Sequence, residues 1–100
     1  MTEIKKERYR KVRGAILKLL AHHHPAPLNI KELHFLLDDM TYTITEEELR
    51  SHLDYLSEGE LVVMDKRNIG GINIEMVKVR RKGLNILDGF EKDIGVDVRF

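Results

Sequence analysis

Apolar residues recur every three or four positions from Tyr9 through Val12, Ile16, Leu19 and Leu20, the spacing of one helix face. That spacing predicts a helix from about Thr2 to His22. The segment "HHPAP" ends it, because two prolines cannot continue a helix. In "NIKELHFLLDDM" the apolar stripe is Leu33, Leu36, Leu37 and Met40, with Asn29 placed to cap and Glu32 placed to complete a capping box. Thr45 and Glu48 repeat that logic for a third helix with the stripe Leu49, Leu53 and Leu56, which Gly59 is expected to end as a C-terminal glycine.

The period then changes from about 3.6 to 2. "LVVMDK" and "INIEMVKV" read as strands, the second alternating Ile72, Ile74 and Met76 against Asn73 and Glu75. "RNIGG" between them supplies glycines where a tight hairpin needs positive φ. Met76 and Val77 are adjacent apolar residues, so a bulge is expected there. "RRKGLNILDGF" returns to helical spacing with Leu84, Leu87 and Phe90, and the last ten residues read as a loose tail. Pro27–Leu28 is a short extended stretch that could pair with the hairpin. The pattern predicts an α+β fold, mainly α. The expected architecture is a winged helix-turn-helix of three helices, a β-hairpin wing and an additional C-terminal helix, over residues 1–92, with a tail at 93–100. Leu20, Leu33, Leu37, Leu49, Leu53, Leu56 and Val63 are the expected core.

One hundred residues suit one domain, and 42% hydrophobic against 34% charged residues is a globular balance rather than a disordered one. No apolar run approaches the ~18 residues a membrane span needs, and no secretory signal is expected from "MTEIKKERYRKVRG". Cysteine is absent, which removes disulfides and thiolate metal sites. A cytoplasmic domain is the expectation. The net charge is zero but unevenly spread. Residues 1–20 carry seven cations against two anions, residues 45–60 one against six, and residues 61–83 six against two. Segregation of this kind bears on partners rather than on fold.

Few residues suggest covalent chemistry. His22, His23 and His24 invite a metal, but successive helical residues point ~100° apart and cannot converge on one ion. A helix end favours histidine on dipole grounds in any case. No nucleophile with its base, phosphate-cradling glycine loop or carboxylate cluster is recognisable, so neither an enzyme nor a cofactor or small-molecule substrate is expected. The run Lys5, Lys6, Arg8, Arg10, Lys11 and Arg13, with Tyr9 interleaved, and the set Lys66, Arg67, Arg80, Arg81 and Lys82 could instead grip phosphates from two sides.

The rhythm Leu53, Tyr55, Leu56, Gly59, Leu61 resembles the helix–turn–helix–wing stretch of ArsR-like winged-helix regulators. More closely, the chain resembles a small winged-helix family encoded by Mu-like prophages, through Lys82-Gly83-Leu84, Gly89 and Gly95-Val96, over about residues 8–98. The resemblance implies a phage-type DNA-binding protein or transcriptional regulator. Double-stranded DNA is then the expected partner, with Lys11, Arg50, Ser51, Lys66, Arg67, Arg80 and Arg81 as the contacts. The third helix opens with Glu46, Glu47 and Glu48, which favour the positive end of its dipole but repel phosphate. Binding is therefore expected to be led by the wing and the N-terminal basic helix. The alternative is a protein-interaction module using the acidic third helix. A homodimer through the N- and C-terminal helices is expected from the stripe Leu84, Leu87 and Phe90.

Overall fold

The computed structural model describes residues 3–99. Its elements run α1 (Glu3–His23), β1 (Leu28–Asn29), α2 (Ile30–Asp39), α3 (Glu46–Glu58), β2 (Val62–Ile69), β3 (Ile72–Val79) and α4 (Arg81–Leu87). The expected helix start at Thr2 lies outside the described residues. The strands form one antiparallel sheet in the order β1-β3-β2. Leu28 opposite Val77 and Asn29 opposite Met76 make the expected pairing of the Pro27–Leu28 stretch with the hairpin. This is an α+β architecture of four helices and a three-stranded sheet. No helix among the described residues is long and apolar enough to cross a membrane.

Both predicted caps form, each by half. Asn29 Oδ1 accepts from the Lys31 amide at 2.8 Å, and Thr45 Oγ1 accepts from the Glu48 amide at 3.1 Å. Neither glutamate closes its box in return: Glu32 is exposed, and the Glu48 carboxylate turns towards His52. The C-terminal ends depart further from expectation. Gly59 has φ −80° and is not the left-handed residue; Glu60, with φ 64°, is. Leu61 then bonds back to the Leu56 carbonyl at 2.9 Å and Glu60 to Ser57 at 3.0 Å, the paired bonds of a Schellman end. α2 ends the same way on Thr41 at φ 68°, with Tyr42 bonded to Leu37 and Thr41 to Asp38, each at 2.9 Å. A β-branched residue in the left-handed region is strained, and the bonds satisfy carbonyls that the helix end leaves open.

The core is a layer where α1, α2 and α3 meet the sheet. Leu20, Leu33, Leu37, Leu49, Leu53 and Leu56 are buried as expected, joined by Ile16, Leu17, Leu28 and Leu61. Met40, expected on the buried stripe of α2, lies at its end and is exposed. Val63 is the more informative correction. The ladder runs unbroken from Val62 opposite Val79 to Ile69 opposite Ile72, so no bulge separates Met76 from Val77. With strict alternation, Val62, Val77 and Val79 point inward. Val63, Met76, Ile74 and Ile72 must then share the outer face, where Val63 is 43% and Ile72 66% exposed. Gly70 and Gly71, at φ 60° and 83°, make the two-residue turn.

α4 docks through a close approach. A Cβ on Gly83 would lie 2.5 Å from the Leu61 carbonyl oxygen and 2.9 Å from Val79 Cγ2. Ile86 is buried, while Leu84 and Leu87 pack against the core and only Phe90 of the expected stripe stays open, 79% exposed. The apolar surface that suggested pairing through the terminal helices is thus largely covered within the chain. Nor is the C-terminal segment loose. Val96 and Asp97 are buried, and the Asp97 amide donates to the Arg10 carbonyl at 2.9 Å.

Leu53→Ala should lower unfolding stability by ~2–5 kcal/mol, as truncation of a fully buried leucine does; an unchanged urea midpoint would remove Leu53 from the core. Thr41→Gly should raise stability by about 1 kcal/mol by relieving the left-handed strain, read as a higher thermal midpoint. Gly83→Ala should cost roughly 1–3 kcal/mol, since the Leu61 carbonyl and Val79 would have to move aside.

Candidate nucleic-acid interface

Arg50, on the outward face of α3, points at the hairpin. Its guanidinium donates twice to Glu75 of β3, at 3.0 and 2.8 Å. That fork raises Arg50 above the ordinary guanidinium value and holds the Glu75 carboxyl below the usual carboxylate range, with Lys66 adding to the second effect. Lys66 is directly opposite Glu75 on β2. Arg50 and Glu75 border a groove of about 350 Å³ together with Lys31, Glu46 and residues Ile72 to Ile74. The bond fixes the hairpin against α3 and commits two of the Arg50 donors to Glu75. Ser51 is exposed beside it.

The basic residues expected around the hairpin do not form one cluster. Arg67 lies on the outer face, bonded to Asp65 at 3.0 Å, whereas Lys66 projects from the opposite face of the same strand. Arg80 and Arg81 are about five strand positions from Lys66, roughly 17 Å at ~3.4 Å per residue. There, with Lys78 and Lys82, they border a separate concavity of about 620 Å³ shared with His24, Glu60 and Glu91. None of these four cations is ion-paired among the described residues. Lys78 and Lys82 belong to this site as much as Arg80 and Arg81. The density of cations from 78 to 82 was the sequence signal for it.

The N-terminal basic run divides as well. Lys11 is exposed next to Arg8 and Tyr42. Arg8 donates to the Thr43 carbonyl at 3.1 Å and Arg10 pairs with Glu7 at 2.9 Å. Arg13 is internal. Its Nε donates to His52 Nδ1 at 3.1 Å, its NH1 to the Gly95 carbonyl at 3.3 Å, and its Cζ lies 3.8 Å from the centre of the Tyr55 ring. Tyr55 in turn donates to Asp93 at 2.6 Å, and Asp93 accepts from the Gly95 amide at 2.8 Å. Any side chain at position 95 would collide with the Tyr55 hydroxyl, so this position requires glycine.

His52, three residues after Leu49 and four before Leu56, is a polar residue on the buried face of α3. It is 1% exposed on the face of α3 that meets α1, edge-on to Tyr9 with ring centres 5.1 Å apart. Because Nδ1 accepts from Arg13, the proton belongs on Nε2, which faces Glu48 at 3.4 Å. Burial, seconded by the Arg13 charge, lowers the His52 pKa, and Glu48 only partly opposes this. The triple histidine has a plainer place: His22 and His23 pack edge to face at the end of α1, and the His23 ring bonds to the Leu19 carbonyl at 3.0 Å.

The chain matches no protein-family model and no curated protein by sequence.

The His52 arrangement gives a signed pH dependence. The unfolded chain binds a proton near the ordinary value of 6.5, and the folded chain binds it only at lower pH. The His52 contribution to stability is therefore complete above that value and lost as pH falls through the folded pKa, at up to about 1.4 kcal/mol per pH unit. Denaturation midpoints at pH 7.5 and 5.5 should show the fall in the wild type and a smaller one in His52→Gln. Equal falls would mean that other groups carry it.

Proposed function

We propose that this chain is a winged helix-turn-helix protein that binds double-stranded DNA, a phage-type regulator in the sense its sequence resemblance implies. The fold supports the reading in its element order, with two helices joined by a short turn and a hairpin fastened to the second of them. One observation carries it. Lys78, Arg80, Arg81 and Lys82 surround a single concavity at the base of the hairpin without ion-pair partners among the described residues. Unpaired like charges repel one another in the free protein, and a phosphate backbone relieves that repulsion while releasing its own counterions.

Phosphate contact leads in this mode and base reading is slight. Arg50, the side-chain type most used to read guanine, is bound by Glu75, and the flanking Glu46, Glu47 and Asp54 are exposed. The N-terminal helix contributes Lys11, and less than its charge count implies, because Arg8, Arg10 and Arg13 bond within the chain. Lys66 adds one cation beside α3.

A second reading rests on the same α3 face. With its only Lys or Arg engaged by Glu75, the helix presents Glu46, Glu47 and Asp54 outward, a surface suited to a basic protein partner.

A salt-series titration with duplex DNA tests the first reading. Affinity should fall steeply with salt, and Arg80→Ala/Arg81→Ala should reduce the slope of log K against log salt by about 2, equally for all sequences. Arg50→Ala should change affinity by less than about threefold with no base preference, since an Arg reading a base is worth ~1–3 kcal/mol. Glu46→Gln/Glu47→Gln should tighten DNA binding by removing repulsion. Background DNA affinity throughout, with loss of protein capture in the Gln variant, would establish the second reading instead.

A further inference from the structure

β2 is the outer strand of the sheet, and no described element pairs with its second edge. A two-residue turn makes the flanking pair, Ile69 and Ile72, a hydrogen-bonded one. The backbone groups of Arg67, Asp65 and Val63 therefore also point at β3. Those of Asn68, Lys66, Met64 and Val62 point out to the open edge. The exposed outer face of the same strand carries Val63, Asp65, Arg67 and Ile69 in alternation, with Val63 43% and Ile69 59% exposed. The strand offers unpaired backbone groups, two open apolar side chains and two opposite charges in register.

We propose that β2 pairs antiparallel with β2 of a second copy of this chain, on a twofold axis through Lys66. The register follows from symmetry. A twofold axis perpendicular to a sheet must pass through one residue, because facing residues of an antiparallel pair share a side. Centred on Lys66, the outer face sets Asp65 opposite Arg67 of the second copy and Val63 opposite its Ile69, and each match occurs twice. Centred on Asp65 or on Arg67, a charge meets its own copy. Centred on Met64, Val63 meets Asp65; centred on Asn68, Arg67 meets Ile69. Only the Lys66 axis matches every outer-face position.

The matched pairs fall at the non-hydrogen-bonded positions, where facing side chains are closest. The Asp65–Arg67 bond already present within one chain becomes a ring of four alternating charges. Lys66 opposes the pairing, because on the inner face it meets its own copy. Charged edge residues commonly weaken strand pairing, and Lys66 weakens it here. Glu75 beside each Lys66 reduces the repulsion. The result is a weak dimer with a specific register. Since the axis preserves faces, both copies of α3 lie on one side of a six-stranded sheet. The inference does not rest on DNA binding.

Sedimentation velocity across a concentration series into the millimolar range tests it on the full chain. The wild type should show a monomer–dimer equilibrium, and Lys66→Thr should lower its dissociation constant about tenfold. Asp65→Arg and Arg67→Asp should each be monomeric, for one sets Arg against Arg and the other Asp against Asp. An equimolar mixture of the two should regain the dimer, which also shows that both variants are folded. The proposal is overturned if the wild type and Lys66→Thr stay monomeric throughout, or if either charge reversal leaves the dimer intact. It is equally overturned if the mixture stays monomeric, or if a dimer is present that only Phe90→Ser abolishes.

Discussion

The Arg13 guanidinium is the charge around which the rest of the domain is arranged. Burial lowers its pKa, yet an arginine does not release its proton in a protein, so its donors must be met. His52 meets one, the Gly95 carbonyl meets another, and the face of Tyr55 covers the plane. Each partner then has a requirement of its own. His52 must be neutral to accept; Tyr55 needs Asp93 for its hydroxyl; position 95 must lack a side chain to clear that hydroxyl. α1, α3 and the C-terminal segment meet in this set of bonds.

A second junction holds the hairpin and α4. The Leu61 carbonyl accepts from the Arg80 amide at 2.9 Å, and Gly83 packs against the same carbonyl. Leu61 follows the left-handed turn at Glu60, so the end of α3, the start of β2 and the start of α4 all meet at Leu61. Among the residues that give this sequence its rhythm, Tyr55, Leu61, Gly83 and Gly95 make the two junctions. They govern the fold and carry no chemistry of their own.

The segregated charges of the chain take on a different meaning in three dimensions. Part of the basic first helix and part of the acidic third face each other across Arg13, His52 and Glu48, and Arg50 is matched by Glu75. Outward lie an acidic α3 surface, the exposed cations of α1 and, apart from both, a basic concavity at the hairpin base. The DNA-binding reading follows the concavity and the protein-binding reading the acidic surface.

Sequence alone determined the elements and most of the core. Helical spacing, caps and the Gly70-Gly71 turn are local properties, fixed by residues a few positions apart, and Leu33, Leu37, Leu49, Leu53 and Leu56 are buried as their spacing requires. It also marked Arg80 and Arg81, because four cations within five residues need no tertiary contact to be seen. Tertiary structure decided which face of the hairpin is inside. Runs such as Val62-Val63 and Met76-Val77 offer an apolar residue to either side, and only docking against α1 and α3 selects Val62 and Val77. It decided the fate of Arg13, Arg50 and His52 too, whose partners lie 82, 25 and 39 residues away for Gly95, Glu75 and Arg13 respectively. A charge count records that an arginine is present, but whether it faces solvent or a buried carbonyl depends on contacts that exist only once the chain has closed.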